Sequence, residues 1–179
     1  MPRALDAFQY REGRFHCEDI TADDLAATYG TPLYVYSETA IVERYRAFAG
    51  AFAELNPLIA YSVKANGNLE VLRILQREGA GADIVSAGEL HRALLAGIPG
   101  ERIVFSGVGK TIPELAAALR ANIYSFNVES EGELLALSEL AVTMNVTAPI
   151  ALRVNPDVES PTPHAYTATG HKTTKFGIP

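Results

Sequence analysis

The side chains with the most chemical potential sit where short apolar runs end. In Tyr61-Ser62-Val63-Lys64-Ala65-Asn66 a lysine closes a run that reads as a buried strand. Desolvation lowers an ammonium pKa, and an amine poised to be neutral is what imine formation with a carbonyl requires. The plainer alternative is a lysine that snorkels from the strand end to solvent. Two carboxylates stand near enough in the pattern to tune such a lysine: Asp83 on the next apolar run and Glu89 in the segment after it. Asp83 could equally be a solvated acid at a strand edge, and Glu89 a helix-capping residue. Arg153 ends the run Ile150 to Val154, just before Asn155-Pro156. An arginine there needs an anionic or ring-nitrogen partner, and a structural ion pair with Asp83 or Asp157 would also satisfy it.

A second candidate is Ser106-Gly107-Val108-Gly109-Lys110-Thr111, which ends like a nucleotide phosphate loop. The motif fails at its first glycine, because Val104 stands there. A glycine-bearing turn leading to a Thr111 helix cap, with Pro113 in the first turn, explains the same residues. His164 and His171 lie in a polar stretch and read as solvated. No His or Cys cluster has metal-ligand spacing, and no Gly-x-Ser-x-Gly elbow occurs.

The elements that must position these residues alternate. Runs at Leu33–Tyr36, Leu58–Val63, Ala82–Val85, Ile103–Phe105, Ile123–Val128 and Ile150–Val154 read as strands. The segments between them carry apolar residues at helical spacing, as in Asn68–Leu75, with Gly79 placed to end that helix. Ser86-Ala87-Gly88-Glu89, Thr111-Ile112-Pro113-Glu114 and Ser130-Glu131-Gly132-Glu133 each match the capping box that starts a helix. Connections this long cannot make hairpins, so the strands pair in parallel and the class is α/β. An open doubly wound sheet and a closed (β/α)8 barrel both remain, and both bind ligands at the carboxyl ends of their strands. Residues 1–25 stand apart, with Phe8 to Cys17 reading as a polar strand pair around a Glu12-Gly13 turn; residues 26–179 form the alternating domain. The stretch from Asn155 to Thr174 reads as a long functional loop.

Composition narrows the partners. The 179 residues are 48% hydrophobic, enough to bury a core, and their formal net charge of −6 disfavours nucleic acid as a partner. No run approaches the roughly 20 apolar residues that span a bilayer, so no membrane is expected. The lone Cys17 excludes an internal disulfide, and the first residues lack a signal-peptide core, so a cytoplasmic location is expected.

Several strings, in order and spacing, resemble the diaminopimelate decarboxylase family of pyridoxal 5′-phosphate-dependent enzymes. They are Gly30-Thr31-Pro32-Leu33-Tyr34-Val35-Tyr36, the Lys64 string above, Gly81-Ala82-Asp83-Ile84-Val85-Ser86-Ala87-Gly88-Glu89-Leu90, Phe126-Asn127-Val128-Glu129-Ser130, Leu152-Arg153-Val154-Asn155-Pro156-Asp157, Thr169-Gly170 and Lys175-Phe176-Gly177-Ile178. The resemblance runs from about residue 6 to 179 and implies an alanine-racemase-like (β/α)8 barrel, of which about five of eight strands are written here. It implies that Lys64 holds pyridoxal 5′-phosphate covalently, that Asp83 and Glu89 line the cofactor pocket, and that Arg153 lies near the cofactor ring. Ser86 and Asn155 would shape the pocket, and Lys175, Phe176 and Gly177 would be structural.

The implied reaction is decarboxylation of a small-molecule amino acid, meso-2,6-diaminopimelate, to L-lysine and CO2, the last step of lysine biosynthesis, by a homodimer when full length. Ornithine, arginine or carboxynorspermidine on the same fold is the alternative substrate class, and a relative that binds the cofactor without catalysis is a third possibility. The family's phosphate-binding segments, strand-six histidine and second β domain, with its partner-subunit cysteine and tyrosine, have no counterpart here, and Cys17 does not match that cysteine. The first strand would join the β domain, and the 179 residues alone are expected to be inactive.

Overall fold

The computed structural model describes residues 7–158, 170 and 175–178. His164, His171 and most of the polar stretch before Thr174 lie outside the described residues. By its internal contacts the chain forms two compact units, residues 1–57 with 77–79, and residues 58–76 with 80–179.

In the first unit, β1 (Phe8–Arg11) and β2 (Arg14–Cys17) pair antiparallel, with Arg11 opposite Arg14. Glu12 and Gly13 both have positive φ, 50° and 77°, which matches the right-handed twist of a two-residue hairpin and makes the expected turn. A third strand, β3 (Ile20–Thr21), pairs with β2; at two residues it is too short to leave a periodic signal. Helix α1 (Ala22–Tyr29) is capped by Thr21, whose Oγ1 accepts from Asp24 N at 3.0 Å. Helix α2 (Glu38–Ala51) is capped by Ser37. The Glu18 carboxylate accepts from Ser37 Oγ (2.6 Å) and Thr39 N (3.1 Å), and these bonds hold it below the usual carboxylate range. The strand expected at Leu33–Tyr36 does not form. A β-rich run needs a ladder partner, and this one has none. Leu33 and Val35 instead line a cavity of about 500 Å³ with Phe8, Phe15 and Leu25.

The second unit holds a five-stranded parallel sheet in which every strand neighbours the next in sequence: β4 (Ala60–Ser62), β5 (Gly81–Ile84), β6 (Ile103–Phe105), β7 (Ser125–Val128) and β8 (Ile150–Leu152). A doubly wound sheet must reverse its strand order at a switch point, and none occurs here. Sequential order places the intervening helices on one face, as in the first part of a barrel. These helices are α3 (Leu69–Arg77), α4 (Ala87–Leu95), α5 (Ile112–Arg120) and α6 (Glu131–Met144). Their Leu72, Leu90, Leu115 and Leu137 join Ala82, Ile84, Ile103, Phe105, Phe126 and Val128 of the sheet in one buried cluster. Phe105 and Phe126 are fully buried and stack at 6.3 Å, each burial contributing about 1.5–3 kcal/mol. Strand residues alternate faces, so Ser62, Asp83, Ser106 and Asn127 fall on the opposite side from this cluster. Among the described residues, no helix is long and apolar enough to cross a membrane.

The three expected capping residues all start helices. Ser86 and Ser130 accept from Glu89 N and Glu133 N, both at 3.2 Å. In the reverse direction, Glu89 and Glu133 reach one residue farther than a capping box requires, to Val85 N (2.7 Å) and Glu129 N (3.2 Å). Only Glu114 closes the full box, accepting from Thr111 N at 3.0 Å, and its other oxygen accepts from Ala87 N at 2.9 Å, joining the starts of α4 and α5.

These bonds, led by the one from Ala87, lower the Glu114 pKa. A carboxyl whose folded pKa lies below its unfolded value stabilises the fold above the unfolded pKa, near 4.3, and loses that contribution as pH falls through the folded value. Glu114→Gln in the complete protein is therefore expected to cost about 1 kcal/mol at pH 6. Parallel unfolding curves should converge as the pH drops below about 4; a constant gap down to pH 3 would show that charge is not the cause.

Candidate active site

Lys64 lies in a single 3-10 turn, Val63–Ala65, that carries the chain off the carboxyl end of β4. Val63 is buried beneath it, while Lys64 itself is exposed. Among the described residues its amine has no hydrogen bond or ion pair. The snorkelling alternative is thus correct about exposure, and exposure leaves the amine available at the strand end.

Asp83 is not a solvated edge acid. It pairs in register with Ser62, two residues before Lys64, and is partly buried. Its Oδ2 accepts from Ser62 Oγ at 3.0 Å and its Oδ1 from Ser106 Oγ at 2.6 Å. Ser106 Oγ in turn accepts from Asn127 Nδ2 at 3.0 Å. A single polar chain therefore runs across the ends of β4, β5, β6 and β7. Each member is spaced by strand pairing rather than by sequence, so only the register reveals the chain.

Glu89 sits at the start of α4, bonded to Val85 N. Arg153 pairs with neither Asp83 nor Asp157. Its Nη1 lies 2.9 Å from both oxygens of Glu129, a residue left without a role in the sequence reading. Glu129 follows β7 and is nearly fully buried at 4% exposure, where a carboxylate needs a cation and further donors. The donors are backbone amides: Gly107 N at 2.7 Å and Gly177 N at 3.2 Å. Gly107 (φ 100°) and Gly177 (φ 76°) occupy left-handed backbone, and a Cβ on Gly177 would meet Arg153 O and Asn155 N at 3.0 Å. One signal could have found Glu129. Val128-Glu129-Ser130-Glu131-Gly132-Glu133-Leu134 repeats Ile84-Val85-Ser86-Ala87-Gly88-Glu89-Leu90, with an acid where the first copy has valine.

The segment 175–178 returns to this strand end. Val154 and Ile178 form a parallel bridge, and Asn155 Nδ2 donates to Phe176 O at 3.0 Å. The Phe176 ring lies 4.8 Å from the Arg153 guanidinium. Phe176 and Gly177 thus meet the chain at the Arg153 strand end, and Asn155 is bonded at the same junction.

Lys110 is the opposite of Lys64. Its side chain is fully buried, and Nζ donates to Gly107 O (2.7 Å), Asn127 O (2.8 Å) and Glu133 Oε1 (2.6 Å). All three N–H groups of an ammonium are spent, so nothing remains for a phosphate. The phosphate-loop reading is overturned on that ground. Lys110 ties the β6–α5 connection to the end of β7 and the start of α6.

Residues 38–179 match the family described as pyridoxal-dependent decarboxylase, pyridoxal binding domain. A diaminopimelate decarboxylase from Pseudomonas aeruginosa is 48% identical over 174 residues, 97% of this chain and 42% of the relative. The crystal structure of diaminopimelate decarboxylase from M. jannaschii in complex with L-lysine matches with a TM-score of 0.89 and 40% identity, over 98% of this chain and 42% of that one. A lysine/ornithine decarboxylase from Vibrio vulnificus complexed with putrescine, at 23% identity and a TM-score of 0.65, shares the fold over 76% of this chain and 36% of its own. The chain therefore spans about two fifths of the length of the relatives it matches.

Proposed function

Since the chain belongs to the pyridoxal-dependent decarboxylases, whose pyridoxal binding domain it carries over residues 38–179, we propose that the whole protein decarboxylates meso-2,6-diaminopimelate to L-lysine and CO2. The observation that carries this reading is the contrast between two lysines. Lys110 is buried with every donor spent, whereas Lys64 stands uncommitted at the carboxyl edge of the sheet. Family membership supplies the chemistry, and similarity to diaminopimelate decarboxylases supplies the substrate.

The donor set fits pyridoxal 5′-phosphate. A primary amine without a partner suits its aldehyde carbon, and a carboxylate and a guanidinium are already held on the same strand ends. Lys64 would bear the cofactor. Asp83, Glu89 and Arg153 would face it, with Ser62 and Ser106 keeping the Asp83 carboxylate from rotating away. Bound there, the cofactor supplies an electron sink for the pair left when CO2 departs. The role of this chain is to present one amine, orient one carboxylate through two hydroxyls, and hold Arg153 through Glu129. Residues 1–25 belong, on this reading, to a β domain completed by the rest of the protein, and residues 26–179 to the first part of the barrel. The complete protein is a cytoplasmic homodimer on the same reading.

A substrate panel on the complete cofactor-loaded protein tests the assignment. CO2 release is expected from meso-2,6-diaminopimelate, with kcat/KM at least about 10²-fold above L-ornithine, L-arginine and carboxynorspermidine. That ratio is a lower bound, since a site built to pair with a polar substrate group rejects analogues lacking it by about 10⁴–10⁵-fold. Preference for any of the other three would move the protein to a different decarboxylase class.

A further inference from the structure

We infer that Glu129 is a positioning residue, whose carboxylate determines which edge of the Arg153 guanidinium is presented at the carboxyl end of the sheet. The inference rests on the proposed cofactor site and adds a residue to it. Both Glu129 contacts to Arg153 run through Nη1, each at 2.9 Å. Among the described residues, Nη2 and Nε of Arg153 make no hydrogen bond, and the side chain is one-third exposed. An arginine usually meets a carboxylate through two nitrogens in a fork. Here a single nitrogen is chelated by two oxygens, which leaves the remaining edge unspent. Phe176 supports the guanidinium at 4.8 Å, and an aromatic contact of that kind restrains its tilt.

The carboxylate is itself immobilised. Gly107 N and Gly177 N each donate to one of its oxygens, from the loops that follow β6 and β8. A donor from each neighbouring loop prevents the carboxylate from turning with the arginine, so Arg153 must adapt to Glu129 rather than the reverse. The free Nη2 and Nε edge suits an acceptor atom such as a ring nitrogen or an oxyanion.

Glu129→Gln tests this with shape retained. The amide oxygen can still accept from one glycine N–H, but its NH2 cannot face a guanidinium, so Arg153 is released. In the crystal structure of the complete cofactor-free variant, Arg153 is expected to leave its place over Phe176 while the backbone at Gly107 and Gly177 stays. In the loaded protein, the cofactor should remain on Lys64, seen as an unchanged adduct mass after borohydride reduction. The visible band should shift in its pH titration, and kcat should fall on the order of 10²-fold. Combining Glu129→Gln with Arg153→Lys should cost no more than Arg153→Lys alone, because one residue acts through the other.

An unmoved Arg153, or losses that multiply with an unchanged spectrum, would overturn the inference. If Glu129→Gln does not fold, Glu129→Asp keeps the charge but shortens its reach to Arg153, and should produce the same spectral shift with a smaller loss; an unchanged spectrum there overturns it as well. Failure of the underlying reading looks different, since the wild type would then carry no adduct on Lys64, and the cofactor-free crystal structure would still decide the role of Glu129.

Discussion

Lys64→Ala in the complete protein is expected to abolish covalent retention of pyridoxal 5′-phosphate and to lower turnover by on the order of 10³-fold or more, the scale of loss when a covalent catalytic group is removed. Three readouts separate this from unfolding. The visible absorption of the loaded protein should vanish, and borohydride reduction should leave no added mass on the peptide containing residue 64. Compared without cofactor, the thermal stabilities of variant and wild type should agree within about 0.5 kcal/mol, because an exposed side chain without a bonded partner contributes little. A variant that keeps both the visible band and the adduct would place the cofactor on another amine.

Lys110→Met should do the reverse. The substitution leaves the Glu133 carboxylate, only 9% exposed, without its cation, and leaves the carbonyls of Gly107 and Asn127 without their donor. Breaking a buried pair on one side typically costs about 3–5 kcal/mol. The expected result is a large fall in the thermal midpoint, measured on the complete protein. Removing both charges with Lys110→Met and Glu133→Gln should recover part of the loss, since no buried charge is then stranded. ATP should leave the midpoint of the wild type unchanged. An ATP-dependent rise that Lys110→Met abolishes would restore the phosphate-loop reading.

The two lysines show how far the sequence could be read. Each follows an apolar strand and precedes a helix, and local pattern alone leaves Lys64 divided between chemistry and a solvated strand end. The motif around Lys110 ends like a phosphate loop but lacks its first glycine, because Val104 stands there. What separates them is which carbonyls and carboxylates arrive from β7 and α6, and these are 17 and 23 residues away along the chain. The same holds for Arg153. The sequence offers it Asp83 and Asp157 as partners, but the strand order brings Glu129, 24 residues earlier, to its side.

The alternation of strands and helices, the parallel class, the hairpin at Glu12-Gly13 and the helix starts at Ser86, Thr111 and Ser130 were all legible, because backbone preference, side-chain period and capping act within a few residues. The family resemblance was legible for a related reason, since its motifs are short strings around residues at strand ends. Leu33–Tyr36 failed as a strand because pairing is not local: a β-rich run becomes a strand only when another strand lies alongside. Tertiary structure alone decided the sequential strand order that separates barrel from doubly wound sheet, the polar chain through Ser62, Asp83, Ser106 and Asn127, and the choice of Glu129 over Asp83 and Asp157. Each depends on register between strands, and register is set by packing the buried cluster of Ala82, Ile84, Phe105 and Phe126 against the helices.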